Sequence, residues 1–124
     1  MTIPPWPASK TCITHAVIDL AITDVLDHFS IVVDARDALS MTFFYTSDLD
    51  QKCDFQVEGA VDEAFAEAQN IGSKMTLDDG SVTKQKDYDT LTDFWPFLRV
   101  KVTGQLAPTS GTVNVWIFKE TLTR

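Results

Sequence analysis

The sequence predicts an all-β protein: an antiparallel β-sandwich, jelly-roll-like, of about eight strands, carrying an extended Pro-rich N-terminal arm. Three observations carry this expectation. Apolar and polar residues alternate with period two through most of the chain, as in strands with one buried face. Turn-forming clusters such as "DARDA" and "DDGS" separate the alternating runs. No segment shows a long amphipathic stripe at helical spacing. At 124 residues, 44% apolar and 23% charged, the chain has the size and composition of one domain with its own core. The boundaries predicted are an arm over 1–11 and a sandwich over 12–124.

The arm, "IPPWP", is extended because three prolines fix φ and remove three amide donors. Its apolar side chains, Ile3 and Trp6, call for a surface to dock on. In "HAVIDLAI" the residues Ala16, Ile18, Leu20 and Ile22 share one face, opposite His15, Val17 and Asp19. "HFSIVVDA" follows as a strand. "LSMTFFYT" points Leu39, Met41, Phe43 and Tyr45 inward, and "KCDFQVEGAV" does the same with Cys53, Phe55, Val57 and Val61. The alanines and glutamates of "VDEAFAEAQN" favour helix by propensity, but its place between two strands predicts a loop with at most one helical turn. "IGSKMTL" is a further strand, and the lysines of "VTKQKDY" suit an edge strand.

The C-terminal stretch "FWPFLRVKVTGQLAPTSGTVNVWIF" reads as a hairpin with Val100 opposite Val115. That register turns Leu98, Val100, Val102, Val113, Val115 and Ile117 inward. It leaves Phe97, Arg99, Trp116 and Phe118 on the outer face, with Trp95 beside them and Arg99 over Trp116 as a cation–π pair. An aromatic outer face needs cover, either from another subunit or from the chain's own arm through Trp6.

Charge and motifs exclude several function classes. The net charge is −8, from 14 Asp and 4 Glu against 10 Lys+Arg, and the basic residues are scattered, so nucleic acid is not an expected partner. No run approaches the roughly 18 apolar residues of a membrane helix, so no membrane partner is expected. "MTIPPWPASKT" lacks the basic start and apolar stretch of a secretory signal. Cys12 and Cys53 have neither metal-site spacing nor nearby paired histidines; they are either small buried hydrophobes or a pair. His15 and His28 stand without a nucleophile and an orienting carboxylate nearby in sequence, so no catalytic residue is assigned and no enzyme is expected. Asp48–Asp50, Asp78–Asp79 and Asp87–Asp89 lack the spacing of a calcium loop and read as turn residues. No metal or other cofactor is expected.

The segments "ALSMTFFYTS", "FQVEGAVDEAFAEA", "DYDTLTDFWPFLRVKVTG" and "APTSGTVNVWI", in that order, resemble a group of small phage and prophage virion proteins with jelly-roll-like sandwich domains. The likeness covers roughly residues 28 to 118. In that group a strand of the "fqVegSvDg" type precedes a "fPflRvkvT…sGtvtvwi" hairpin; this chain departs from it at Val61-Asp62-Glu63, where a glycine-containing turn is expected. The resemblance implies a head decoration (cement) protein, or a domain of a head or tail fibre. It implies a virion protein assembled in the host cytoplasm that contacts copies of itself as a homo-oligomer, for which a trimer is the expectation taken, and a major capsid or tail protein. The expected interface is Ile3, Trp6, Trp95, Phe97, Arg99, Trp116 and Phe118. The alternative is a carbohydrate-binding or receptor-binding module of a fibre, with Trp116 or Trp95 as stacking platform and a glycan as partner.

Overall fold

The strands pair as a nested ladder, the first with the last. A computed structural model describes residues 8–78, 85–91 and 95–123. In it β1 (Ala8–Leu20) pairs with β9 (Val113–Thr123), and β2 (Asp27–Phe29) and β3 (Val33–Asp34) both pair with β8 (Phe97–Gly104). Inside these, β4 (Ala38–Ser47) pairs with β7 (Gln85–Leu91), and β5 (Cys53–Ala60) with β6 (Gln69–Leu77), every pair antiparallel. Folding this long ribbon over, with β4 joining β9 and β5 joining β8, yields two sheets. Sheet A runs β1-β9-β4-β7, and sheet B runs β2-β8-β5-β6 with β3 also on β8. That wrap is a jelly roll. No helix occurs among the described residues.

The nine segments fill eight strand positions, because β2 and β3 are one strand interrupted at Ser30. There the Ser30 amide donates to the Val100 carbonyl (2.8 Å), while the Ser30 hydroxyl accepts from the Val100 amide (2.9 Å). A side chain thus replaces a backbone acceptor and the edge bends away from the ladder.

The core lies between the sheets. Phe43, Tyr45, Phe55, Val57, Leu98, Val100, Val102, Val113, Val115 and Ile117 are each at most 2% exposed, and Tyr45 stacks on Phe55 (centroids 4.7 Å apart). All six residues predicted to face inward from the C-terminal stretch are in it. Their predicted partners are wrong. β8 and β9 do not form a hairpin: Val100 pairs with Val57 in sheet B, and Val115 with Tyr45 and Val17 in sheet A. The loop over 105–112 carries the chain across the sandwich, so the two strands face each other through the core. Alternation dictates which face a residue takes, not which strand lies beside it.

Three other inward assignments fail at backbone irregularities. β1 breaks register with β9 after His15 and again after Val17, with Asp19 at φ 42°. The bulges bury both Ala16 and Val17 and leave Ile18 64% exposed. A shift between Ala38 and Ser40 turns Leu39 out, and β5 ends at Ala60, so Val61 is exposed. Residues 61–68 form a loop, as expected, with Phe65 at φ 53°. β7 is an edge strand of sheet A. β1 begins at Ala8, inside the predicted arm; residues 1–7 and the "DDGS" turn after Asp78 lie outside the described residues.

Two outer faces as candidate functional sites

Because β8 and β9 sit in opposite sheets, the predicted aromatic face is split in two. Trp116 and Phe118 stand on the outside of sheet A, and Phe97 and Arg99 on the outside of sheet B. Trp95 belongs to neither. It packs against the core cluster at one end of the sandwich, over Gly59. A Cβ on Gly59 would come within 2.2 Å of Ile71 Cδ1 and 2.7 Å of Trp95 Cδ2, so only glycine admits that indole. Ile3 and Trp6 lie outside the described residues.

On sheet A the outward residues of β1, β9 and β4 stand in cross-strand rows. His15, Trp116 and Phe44 form one row, and Ile13, Phe118 and Thr42 the next. His15 stacks on Trp116 with centroids 4.4 Å apart and planes 10° from parallel, and Phe44 tilts against the same indole at 5.7 Å. Ile13 is 66% exposed, and Trp116, Phe118 and Phe44 are half-buried. Asn114 fixes the imidazole: its Oδ1 is 2.8 Å from His15 Nε2 and accepts from the Asp19 amide (2.9 Å). The Asn114 amide nitrogen in turn donates to the Asp19 carboxylate (3.1 Å). The bulge in β1 therefore serves the face, because it places Asp19 where it can hold Asn114.

The expected Arg99–Trp116 pair does not exist. Arg99 instead donates from Nε to Glu58 Oε1 (2.9 Å) and lies over the rings of Phe29 (4.0 Å) and Phe65 (4.4 Å). Glu58 also faces Lys101 Nζ at 3.9 Å, and its side chain is only 9% exposed. A buried carboxylate of this kind is tolerable because it is paired and hydrogen-bonded. Phe97 is no surface residue either. It forms a small second core with Ala60 and Phe65, and Arg36 lies 5.3 Å from its ring centroid. The loop after β5 thus folds back as a cover over this end of sheet B. Sequence reasoning missed Phe65, Glu58 and Phe29 in these roles. Period-two alternation marks Glu58 as outward, and nothing local tells that a loop will cover it.

Farther along sheet B the outward side chains enclose a polar groove of about 320 Å³. Asp27 and Thr103 line it from one side, Asp54 and Gln56 from the centre, and Lys74 from the other. Thr103 Oγ1 donates to Asp27 (2.7 Å), and Thr76 Oγ1 and Gln105 Nε2 donate to Asp54 (2.6 and 2.8 Å). Burial pushes the Asp54 carboxyl upward, but these hydrogen bonds and the Lys74 charge outweigh it and hold the group below its ordinary range.

The other residues weighed for chemistry have structural partners. His28 Nε2 is 2.8 Å from Asp24 Oδ1. Asp48 accepts from the Thr112 amide (2.6 Å) and Asp50 from the Thr109 amide and hydroxyl, so both carboxylates tie down the loop before β9. Cys12 and Cys53 are free thiols in different sheets, and burial pushes the Cys53 thiol up to about 12.

Comparison with solved structures places this architecture. The chain is similar over 99% of its length to the phage PBSX exported protein XepA, with TM-score 0.62 and 9% identity. The fold is a jelly roll. The chain spans 41% of XepA's own length. It is also similar to a protein of Bacillus endospore appendages, described as disulfide-linked pili, with TM-score 0.59, 10% identity and 99% and 98% of the two chains covered. At such identities the likeness is one of fold. It agrees with the jelly-roll sandwich that the resemblance to phage virion proteins implies. No protein-family model matches the sequence, and no curated protein matches it.

Proposed function

We propose that this protein is a structural component of a phage particle that works by contact rather than catalysis, as a decoration or cement subunit of the head. The observation that carries this reading is the outer face of sheet A, where Ile13, Trp116, Phe118 and Phe44 form an apolar patch beside an edge strand. The shared fold of a phage exported protein and an appendage-forming protein supports it.

Covalent reach argues that this patch is covered by another chain. Trp6 is two residues from Ala8, and so within about 7 Å of it. Ala8 pairs with Thr123 and His15 with Trp116, which separates the two ends of this face by about 23 Å at the rise of a strand. A backbone position two residues before Ala8 thus starts well away from the Trp116 row of its own subunit, which favours cover of that row by a neighbouring chain. On this reading the arm and the Trp116 face meet between subunits, in a homo-oligomer taken as a trimer, with a major capsid or tail protein as the further partner.

Light scattering after size exclusion tests this reading. The unmodified chain is expected to run as an oligomer. Trp116→Ala and removal of residues 1–7 should each shift it toward monomer with an unchanged far-UV spectrum. A monomer at every concentration would exclude the self-association, and unchanged oligomers in both variants would exclude this face as its seat.

A further inference from the structure

The groove on the outside of sheet B has no part in the contact face of sheet A. We propose that it is a binding site for a neutral, hydroxyl-rich ligand, an oligosaccharide chain.

Its volume, about 320 Å³, lies within the range of small-ligand sites. It is built by a specific irregularity. Phe55 pairs with Met75 and Val57 with Ile71, so two steps along β5 are matched by four along β6. The surplus, with Gly72 at φ 71°, bulges the edge of the sheet and sets Lys74 at the rim of the groove.

Its chemistry selects the ligand class. Two carboxylates, Asp27 and Asp54, and two ammonium groups, Lys74 and Lys101, line it, so its formal charge sums to zero. An anion or a cation would be repelled by half of this set, whereas hydroxyl groups, which donate and accept, can use all of it. The groups are already held in place: Asp54 is fixed by Thr76 and Gln105, and Asp27 by Thr103. Gln56 donates its amide to the Val57 and Ile71 carbonyls (3.0 and 3.1 Å), which leaves its carbonyl oxygen to accept from a ligand. Such preorganisation lowers the cost of binding a flexible polyol.

An aromatic ring stands beside the groove, next to its lining residues Asp27 and Lys101. Phe29 neighbours Lys101 across the strand pair and shares an outward face with Asp27 two residues before it. Arg99 occupies one side of its ring at 4.0 Å, yet Phe29 remains 47% exposed. On the strand, Arg99 lies past Lys101 and away from Asp27, so it does not stand between the ring and the groove. A ring edging a set of donors and acceptors suits a sugar, which has an apolar C–H face and a hydroxylated rim. The stacking platform expected from sequence, Trp116 or Trp95, is thus replaced by Phe29 on the opposite sheet.

The test is an array of immobilised neutral oligosaccharides (cello-, chito-, manno- and galacto-series) probed with the full chain, followed by titration calorimetry with the best-retained series. Phe29→Ala and Lys74→Ala should each weaken binding about tenfold or more; Lys74→Ala, at an exposed position, should leave thermal unfolding little changed, and Phe29→Ala, which also uncovers Arg99, is titrated well below its own thermal midpoint. Trp116→Ala should bind as the unmodified chain does, which separates this site from the assembly face. Retention of no neutral oligosaccharide, retention of sulfated or phosphorylated chains alone, or equal binding by both groove variants would each overturn the proposal.

Discussion

The two outer faces of this sandwich are written in the same alternating code and end in opposite states. Sheet A presents aromatic and aliphatic side chains, with the Trp116 indole braced by His15 and Ile13 standing clear. Sheet B presents Arg99, Glu58 and Lys101, and buries the first two under Phe29 and the loop that carries Phe65. On sheet B the chain folds over itself, so polar residues had to be paired in order to lie beneath. Sheet A keeps apolar residues on its outside, with Ile13 66% exposed. Outward position in a strand is therefore compatible with a covered ion pair or an open aromatic patch, and the connecting loop decides between them.

Substitution of Arg99 should break this contrast most severely. Arg99→Ala leaves Glu58 buried with only Lys101 at 3.9 Å, and should lower unfolding stability by about 3 kcal/mol in urea titration. Adding Glu58→Leu should recover much of that loss; no recovery would show that Arg99 acts by packing on the two rings rather than by pairing. On sheet A the corresponding change is milder. His15→Ala removes one stacked ring at a half-buried site and should cost about 1 kcal/mol, while weakening self-association measured by sedimentation.

The smallest effect sharpens the comparison through pH. The Arg36 guanidinium beside Asp34 holds its carboxyl at about 2, below the usual 3.8, and hydrogen bonds lower Asp24 and Asp54 as well. All three belong to sheet B or to the loop entering it, whereas Asp50, lowered by its hydrogen bonds from Thr109, stands alone on the β4–β5 connection. A carboxyl depressed in the folded state stabilises above its unfolded value and loses that contribution as pH falls through the folded one. The thermal midpoint should thus drop as pH falls from about 4 toward 2, and Asp54→Asn should flatten that drop. Amide exchange should rise first in sheet B. Earlier exchange in sheet A would contradict the placement of the acid-sensitive groups.

Much of the architecture was legible in the residues. Met41, Phe43, Tyr45, Cys53, Phe55 and Val57 were assigned inward from alternation alone and are buried. The loop over 61–68 and the edge position of β7 were legible too, the first from its place between strands and the second from its lysines. The candidate sites were not. Phe97, Arg99, Trp116 and Phe118 were grouped because β8 and β9 follow each other in sequence, and a hairpin is the shortest way to join two strands. Here the long loop after Gly104 offers another route, and burying both apolar faces against each other across the core removes more surface from water than pairing them side by side.

The sequence by itself determined the class of fold and the identity of the core, because period-two burial is a property of each strand alone. It also made contact a better expectation than catalysis, since it brings no set of acid, base or nucleophile together. Which outward residues share a face was decided only by the tertiary structure. Strand order depends on how a 124-residue ribbon folds over, and that is set by the sum of distant contacts rather than by any local pattern. The same fold-over placed Trp116 on one side, Arg99 on the other, and a polar groove where no stretch of sequence announced one.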